Sequence, residues 1–388
     1  MKNLGWRIRQ SLRLIEDYTG HPPLSQYLKT YFANNKKFGS RDRRELSQVV
    51  FSYFRLARAL KQLPKENAIA LAYYCCNECS LAELDAINSL IPSKLTSTGS
   101  LEEKVERISE YLGTESANQI LPEYSMSEGL DRDLASMHIL KRPDTFIRIL
   151  HNRSATISEL EEQEIPYSNI SETCLAIGAD KSLTLLDSFK RGYFYIQDWS
   201  SQRVEHFLHA RNGEEWWDAC AGAGGKSLLF LQKNPGAKIF ASDIRPGILR
   251  NYQSRIKQMG FETPKTSTFN LEDDGLSTGK KYDGIILDVP CSGSGTWARS
   301  PERVFFFTDQ DLLKYTIKQR RIVDNAIKHL KPGGTLVYIT CSVFRDENEE
   351  QVNYITTEKG FTLEKMEVLA GFENKADHLF AARLSSPE

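Results

Sequence analysis

Two cysteines that follow apolar segments in the C-terminal half of the chain have the clearest capacity for chemistry. Cys291 lies in DVPCSGSG, directly after the segment YDGIIL, and Cys341 lies in TCS, directly after GTLVYI. A cysteine is often only a small hydrophobic residue of the core, but two of them at equivalent ends of predicted strands favour a shared chemical role. A thiolate is a nucleophile that attacks an electron-poor carbon.

One reaction that needs such a nucleophile is transfer of a methyl group to C5 of a pyrimidine. C5 is a poor nucleophile because the ring is aromatic, and addition of a thiolate at C6 turns C5 into an enamine-like carbon that attacks a sulfonium methyl group. An unperturbed thiol, with a pKa of ~8.5, is only a few per cent ionised at pH 7, so a nearby cation is expected. Lys226 is the nearest candidate cation among the motifs.

A glycine-rich segment, DACAGAGGKS, follows the first predicted strand of this half of the chain. Glycines at such a point let the backbone turn sharply and approach a ligand closely. A phosphate-binding P-loop is excluded, because Cys220 stands where that motif requires its first glycine. Asp243 ends the next predicted strand, nineteen residues after Gly224, a spacing typical of a carboxylate that binds ribose hydroxyls. The pattern favours an adenosine-bearing cofactor, which fits S-adenosylmethionine and, less well, a dinucleotide.

The elements that must position these residues alternate strictly from residue 214 onward. Such alternation predicts a mostly parallel sheet covered by helices on both faces, which is the α/β class. Ligands bind beyond the carboxyl ends of the strands in such sheets, and the cysteines, the glycine segment and Asp243 all lie there. The predicted strands are EEWWDAC (214–220), KIFASD (238–243), TSTFN (266–270), YDGIILDVP (282–290) and GTLVYITC (334–341), and the predicted helices include 309–330 and 346–358.

The preceding half of the chain divides into two further predicted domains. Residues 1–125 show helical spacing of apolar residues, with Ser40 as a candidate N-cap, and predict an all-helical domain. Residues 126–213 predict a small α/β module, with strands at 145–150, 172–177 and 192–200 and a helix at 156–163. Residues 214–388 form the third predicted domain.

Composition and charge indicate a folded protein with one basic region. The 388 residues are 40% apolar and 26% charged, and no apolar run approaches the ~20 residues that span a bilayer. The seven cysteines, an odd number, argue against a disulfide framework and for a reducing, cytoplasmic location. Residues 1–61 hold 13 basic and 4 acidic side chains, whereas the rest holds 37 and 47, which favours an N-terminal surface that binds a polyanion. Cys75, Cys76 and Cys79 lack a second pair of ligands at suitable spacing, so no metal site is predicted.

Three motifs together resemble a known family. DACAGAGGKS, ILDVPCSGSG and YITCSVFRDENEEQV are similar to motifs of the Sun/NOP (RsmB/Fmu-like) family of RNA (cytosine-5)-methyltransferases. The resemblance is specific over 214–388 and implies a Rossmann-like catalytic domain that uses S-adenosylmethionine. It is weaker over 126–213, where QDWSSQ resembles the small RNA-recognition-like module of the family, and weakest over 1–125, which resembles a NusB-type helical RNA-binding domain.

The resemblance implies a role for each residue of the motifs. Cys341 corresponds to the nucleophile and Cys291 to the cysteine that assists release of the RNA, while Asp288 and Lys226 lie in the same pocket and join them as catalytic candidates. The implied S-adenosylmethionine ligands are Cys220, Ala221, Gly222, Ala223, Gly224, Gly225, Lys226, Asp243 on the ribose, Asn270 near the adenine by spacing alone, and Asp288.

Three departures from the family pattern leave alternatives open. Gly222-Ala223 stands where the family has Ala-Pro, Ala298-Arg299 where it has paired arginines, and Asn270 where it has aspartate. The hypothesis is an enzyme that methylates C5 of cytosine in small-subunit ribosomal RNA, with transfer RNA as an alternative substrate. A non-catalytic RNA-binding assembly factor is a rival that only these departures support, and the presence of both cysteines argues against it. A DNA cytosine-5 methyltransferase is a second rival, against which the extra cysteine of TCS argues. No membrane partner is expected, and no oligomeric state follows.

Overall fold

The computed structural model describes residues 3–91, 95–96, 99–113, 119–178 and 182–388. The chain forms two compact units. The first consists of Met1–Tyr124, Asp131–Arg142 and Thr296–Thr308, and the second of Ser125–Leu130, Pro143–Gly295 and Asp309–Glu388. Within the described residues, no helix is both long enough and apolar enough to cross a bilayer.

The helices, in chain order, are α1 (Leu4–Glu16), α2 (Leu24–Asn34), α3 (Ser40–Leu56), α4 (Lys65–Cys76), α5 (Leu81–Asn88), α6 (Leu101–Leu112), α7 (Arg132–Leu140), α8 (Arg153–Glu162), α9 (Asp187–Lys190), α10 (Trp199–Arg203), α11 (Gly225–Lys233), α12 (Pro246–Gln258), α13 (Glu302–Phe306), α14 (Asp309–Ala326) and α15 (Glu349–Lys359). The strands are β1 (Thr145–Ile149), β2 (Tyr167–Asn169), β3 (Cys174–Ile177), β4 (Phe194–Ile196), β5 (Glu215–Asp218), β6 (Lys238–Asp243), β7 (Thr266–Thr268), β8 (Tyr282–Asp288), β9 (Leu330–Thr340), β10 (Thr362–Leu369) and β11 (Leu379–Ser385).

The first unit is helical because its apolar residues repeat at the helical period. In α3, Leu46, Val49 and Val50 are fully buried, and each contributes about 1.5–3 kcal/mol of hydrophobic stabilisation. The N-cap prediction at Ser40 is one residue out. Gly39 is the cap: its backbone is extended and its carbonyl accepts the first helical hydrogen bond, so Ser40 begins the helix.

A segment that follows the DVPC motif belongs to the first unit. The α13 side chain Phe306 packs edge-on against Tyr18 with ring centroids 5.7 Å apart. The buried Glu302 accepts a hydrogen bond of 3.1 Å from the backbone of Leu24, which begins α2. These contacts, which strand-helix alternation along the chain does not reveal, explain why 296–308 clusters with the N-terminal helices.

The second unit contains a small antiparallel sheet of order β2-β3-β1-β4. Its core includes Ile147, Leu175 and Phe194. The predicted strand over 192–200 is wrong beyond residue 196, because the Asp198 carboxylate accepts a hydrogen bond of 2.9 Å from Ser200 and caps α10.

The larger sheet of the second unit has the order β10-β11-β9-β8-β5-β6-β7. The strands β5 to β9 pair in parallel, and β10 and β11 pair antiparallel at one edge. The predicted α/β, Rossmann-like class is confirmed, as are all five predicted strands, although β9 begins earlier than predicted. Trp216 and Trp217 are both fully buried, and as neighbours in a strand they pack into different core clusters on the two faces.

Candidate active site

The sheet order brings four strand ends together. β9, β8, β5 and β6 are consecutive in the sheet and parallel, so their carboxyl ends meet at one edge. The TCS motif, the DVPC motif, the glycine loop and Asp243 follow these four ends in that order. This edge is where an open α/β sheet binds its ligands.

The sulfur atoms of Cys291 and Cys341 lie 3.3 Å apart. Both thiols are free, since a disulfide bond would place them at ~2.05 Å. Cys291 is buried, whereas Cys341 is partly exposed. The contact with Cys341, together with burial, raises the pKa of the Cys291 thiol well above its usual value. Cys291 is therefore a protonated thiol at neutral pH, and Cys341 is the more accessible sulfur.

Lys226, the candidate cation, forms an ion pair with Asp288. Its ammonium nitrogen lies 3.1 Å from Asp288 Oδ2 and donates a second hydrogen bond of 2.9 Å to Ser201 Oγ. Lys226 is buried in the first turn of α11, while about a third of the Asp288 side chain is exposed. The pair therefore places an ammonium group and a partly accessible carboxylate beside the DVPC loop.

The glycine loop needs glycine at two positions. Gly222 and Gly224 have φ angles of +52° and +86°, in the left-handed region that disfavours other residues. A Cβ atom on Gly224 would lie 2.8 Å from the ring of Tyr252. The Gly222 amide donates to Asp243 Oδ2 at 3.0 Å, so the turn connects the loop to the end of β6.

Asp243 is held as a charged acceptor. It accepts hydrogen bonds of 2.9 and 3.0 Å from the backbone and Nε of Arg245. Burial opposes ionisation of Asp243, but the hydrogen bonds from Arg245 and Gly222 prevail and hold its pKa below the usual value. A carboxylate kept ionised and oriented in this way suits the hydroxyls of a ribose.

A cavity of about 550 Å³ opens between these elements, within the range of ligand sites in proteins. Of the ten predicted cofactor residues, Gly224 and Lys226 do not line the cavity, and the others do. Its lining also includes the apolar residues Ile244, Phe269 and Ile322 and the basic residues Arg245, Arg255 and Lys318, which the sequence analysis did not single out. The carboxylate of Asp243 suits the ribose hydroxyls of an adenosine, and the apolar side chains suit its aromatic ring. The cavity therefore fits S-adenosylmethionine.

Asn270, placed at the site by spacing alone, lines the cavity. Its side chain also stabilises a local turn, since Nδ2 donates to Asp273 at 2.8 Å and Oδ1 accepts from the backbone of Glu272 at 3.2 Å. Its oxygen and nitrogen are therefore oriented by the chain before any ligand binds.

Asp218, at the end of β5, is a buried carboxylate that the sequence analysis passed over. It is fully buried beneath the glycine loop, and Ser227 donates a hydrogen bond of 2.6 Å to its Oδ2 atom. Burial, which outweighs the hydrogen bond from Ser227 and is aided by the nearby Asp288 carboxylate, raises the pKa of Asp218 to about 7. Its position at the end of the first strand was the available signal.

The QDWSSQ segment also reaches this edge of the sheet. Gln197 Nε2 donates to the Gly225 carbonyl and to Ser201 Oγ, both at 3.2 Å, and Ser201 in turn accepts from Lys226. In addition to any role in RNA recognition, the segment therefore orients a residue of the candidate active site. Among the residues that the structure describes, no cluster of His, Cys, Asp or Glu is arranged to hold a metal.

The parallel sheet, the glycine loop after its first strand and the ribose-type carboxylate after its second define a Rossmann-like methyltransferase domain. Residues 205–383 match the family described as 16S rRNA methyltransferase RsmB/F. This part of the chain is therefore similar to the methyltransferase domains of that family, as its motifs predicted. The match also confirms S-adenosylmethionine as the predicted cofactor.

Curated relatives carry the same family name. The ribosomal RNA small subunit methyltransferases B of Shewanella oneidensis and Citrobacter koseri are 30% identical over 217 residues and 31% identical over 218 residues. Each alignment covers 55% of this chain and 51% of the relative. The chain thus spans about half the length of the curated relatives it matches.

Solved structures share the fold. The protein PH0851 superposes with a TM-score of 0.70 and 19% identity over 99% of both chains. NSun6 from Pyrococcus horikoshii, solved with SFG, gives a TM-score of 0.59 and 19% identity over 66% of this chain and 94% of its own. At these identities the likeness concerns the fold alone.

Proposed function

We propose that this protein is an S-adenosylmethionine-dependent RNA (cytosine-5)-methyltransferase that acts on small-subunit ribosomal RNA through a covalent bond between Cys341 and C6 of cytosine. The observation that carries the proposal is the 3.3 Å separation of two free thiols at the ends of adjacent parallel strands. The DVPC loop that bears one of them also lines the cavity. The substrate class follows the names of the relatives.

In this proposal the cavity residues hold the cofactor. Asp243 would accept the ribose hydroxyls, and the loop from Cys220 to Gly225 and Asn270, which also line the cavity, would hold the rest of the cofactor. Burial raises the pKa of the Cys220 thiol well above its usual value, so Cys220 contributes shape rather than a thiolate. When bound, S-adenosylmethionine supplies an electrophilic methyl group.

Cys341 begins the reaction because it is the accessible sulfur of the pair. Its thiolate adds to C6 of a cytosine that has left its stack, and the electron pair of the C5–C6 double bond becomes available at C5. C5 then forms a bond to the methyl carbon while the bond from that carbon to the sulfonium sulfur breaks, and the sulfur leaves as a neutral thioether. The proton on C5 passes to a base, the double bond re-forms and the Cys341 thiolate is expelled.

Lys226 and Asp288 act on the base in different ways during this addition. Addition at C6 places negative charge on N3 and the base carbonyl, and the Lys226 ammonium group stabilises that charge. The Asp288 carboxylate, 3.1 Å from the ammonium group, accepts a hydrogen bond from the exocyclic amine of the base. The exposed part of Asp288 faces the cavity, where it contacts the base, and the buried Lys226 holds it in place.

Cys291 assists release because it remains protonated. A thiol whose pKa is raised by burial and by contact with Cys341 donates its S–H to the departing sulfur 3.3 Å away. The leaving thiolate is thereby stabilised, and the covalent RNA adduct breaks down. Without that donor, the adduct accumulates.

The RNA itself would be held by the basic N-terminal domain predicted over 1–125, together with the module predicted over 126–213. In the first turn of α3, Arg44 is exposed. Arg41 pairs with Glu45 at 2.8 Å, and Arg43 donates to the Phe38 carbonyl at 2.9 Å, so Arg44 is the arginine of that turn best placed to contact phosphates.

The test is transfer of labelled methyl groups from S-adenosylmethionine to small-subunit ribosomal RNA, transfer RNA and duplex DNA, with bisulfite sequencing of the product. We expect label in ribosomal RNA, at a cytosine that resists bisulfite conversion. Label only in transfer RNA would show that transfer RNA, not ribosomal RNA, is the substrate. Label in DNA would show that the protein methylates DNA. Absence of label in all three, with S-adenosylmethionine still bound, would favour a non-catalytic RNA-binding factor.

A further inference from the structure

Glu347 is a buried carboxylate for which the proposed reaction has no role. It ends the short 3-10 helix that follows the TCS motif and has no exposed surface. A buried carboxylate is costly unless hydrogen bonds satisfy it, and burial raises the pKa of Glu347 above its usual value. Its donors are Ser292 N at 2.8 Å, Gln319 Nε2 at 3.0 Å, Ser292 Oγ and Ser342 Oγ.

These donors come from three separate segments of the second unit. Ser292 directly follows Cys291, and Ser342 directly follows Cys341. Gln319, on α14, donates to the Pro290 carbonyl at 3.0 Å as well as to Glu347. One carboxylate therefore connects both cysteine-bearing loops to each other and to a long helix.

We propose that Glu347 is a positioning residue that fixes the separation of the Cys341 and Cys291 sulfur atoms. The inference rests on the proposed function and deepens it, because the relative position of the two thiols would govern both formation and release of the RNA adduct. Each serine that Glu347 holds is one residue away from a cysteine, so a displaced serine moves the adjacent sulfur. A misplacement of ~1 Å in a reacting group costs about 100-fold in rate.

Glu349 provides a matched control two residues further along. It is also buried, at 8% exposure, and accepts two hydrogen bonds, from Ser127 Oγ at 3.1 Å and the Glu128 amide at 2.9 Å. Its donors lie in a segment without cysteine. Glu349→Gln therefore repeats the chemical change of Glu347→Gln two residues further on, and it removes no hydrogen bond from Ser292 or Ser342, the two serines that follow the cysteines.

The experiment compares these two variants with the full-length parent protein in three measurements. Thermal unfolding reports any general loss of stability. Treatment with diamide reports the geometry of the pair: two thiols lose two electrons and two protons to diamide, a disulfide forms, and peptide mapping quantifies the Cys291–Cys341 link. Single-turnover methyl transfer is measured at several RNA concentrations. The rate at saturating RNA reports the chemical step, and the dependence of the rate on RNA concentration reports RNA binding.

For Glu347→Gln we expect the Cys291–Cys341 disulfide to form about fivefold more slowly. The rate of methyl transfer at saturating RNA should fall about tenfold or more, because the two sulfur atoms are no longer held at their original separation. The RNA concentration dependence should stay within about twofold of the parent. Glu349→Gln, with a comparable melting temperature, should match the parent in both.

Equal disulfide formation and equal rates in the two variants would overturn the role of Glu347. If the parent transfers no methyl group to RNA, the proposed function fails, while the diamide measurement still tests the positioning role. If Glu347→Gln does not fold, Ser292→Ala and Ser342→Ala each remove one hydroxyl donor. Each of these variants should form the disulfide more slowly than the parent. An unchanged rate of disulfide formation in both would also contradict the proposal.

Discussion

At the scale of single residues, the two thiols of the candidate active site differ in environment although each follows a predicted strand in the sequence. Cys291 is buried with a raised pKa, and Cys341 is partly exposed at 3.3 Å. The sequence predicts both as site residues, as well as Asp243 and Asp288, because strand ends are recognisable. Ser201 and Glu347 lie within the motifs QDWSSQ and YITCSVFRDENEEQV, but their hydrogen bonds to distant segments cannot be read from the sequence.

A residue-scale prediction concerns Asp243. Asp243→Ala should lower the affinity for S-adenosylmethionine at least ~10-fold, because charged hydrogen bonds to ligand hydroxyls are worth about 1.5–3 kcal/mol. Isothermal titration calorimetry measures this directly. The control is Asp187→Ala, an exposed aspartate of α9 that pairs with Lys190. Equal affinity of the two variants for S-adenosylmethionine would show that Asp243 does not bind the cofactor.

The raised pKa of Asp218 implies that the stability of the folded protein depends on pH. Its folded pKa, about 7, lies above the value of ~3.9 in an unfolded chain, so the folded state binds the extra proton between these limits. Stability from this group is therefore greatest below pH ~4 and is lost as pH rises towards 7, with a slope of at most about 1.4 kcal/mol per pH unit.

The Asp218→Asn variant should lack this part of the dependence. Denaturant unfolding of the parent and the variant at several pH values between 4 and 8 gives the difference in free energy. We expect the parent to lose stability relative to Asp218→Asn as pH rises to 7. A difference that does not change with pH would show that Asp218 is ionised in the folded protein throughout.

At the scale of elements, alternation of strands and helices was enough to predict the parallel part of the large sheet, because β5, β6, β8 and the second half of β9 are mostly buried and rich in apolar residues. The strand expected over 192–200 ended early, since an aspartate cap competes with strand propensity. The packing of α13 with the N-terminal helices had no sequence signal, because aromatic contacts such as Phe306 with Tyr18 join residues far apart in the chain.

The glycine loop gives an element-scale prediction with a close control. Gly213 and Gly224 share nearly the same φ, +85° and +86°, but a Cβ atom meets the Tyr252 ring only at Gly224 and nothing within 4 Å at Gly213. Alanine at either position costs about 1–2 kcal/mol of backbone strain. At Gly224 the overlap adds about 1–3 kcal/mol.

Thermal and denaturant unfolding of Gly224→Ala and Gly213→Ala measure the two costs. We expect the Gly224 variant to be the less stable of the two, with weaker binding of S-adenosylmethionine as well. Equal loss of stability would show that Tyr252 moves aside freely and that the loop does not depend on this close approach.

At the scale of the whole molecule, the family match covers residues 205–383, and the first unit lies largely outside it. The proposal that this unit binds RNA therefore rests on the resemblance of residues 1–125 to a NusB-type domain and on charge, with 13 basic and 4 acidic side chains in residues 1–61. A polyanion bound by such a surface releases counterions, so its affinity must depend on salt.

Arg44→Ala tests this surface. Loss of one phosphate contact should weaken RNA binding similarly for different RNA sequences and reduce the slope of log affinity against log salt by about 1. Fluorescence anisotropy at several salt concentrations provides the slope. Arg211→Ala, which removes an arginine exposed at the amino end of β5, is the control. An unchanged slope in Arg44→Ala would exclude α3 from the RNA-binding surface.

In the proposed reaction, a covalent bond forms between Cys341 and the RNA, and Cys291 is needed to break it. The most direct measurement is denaturing gel electrophoresis of the protein incubated with small-subunit ribosomal RNA and S-adenosylmethionine. Cys291→Ala should give a slowly migrating RNA adduct that persists in denaturant, and the double variant with Cys341→Ala should give none. An adduct that survives loss of Cys341, or full methyl transfer by Cys341→Ala, would contradict the account.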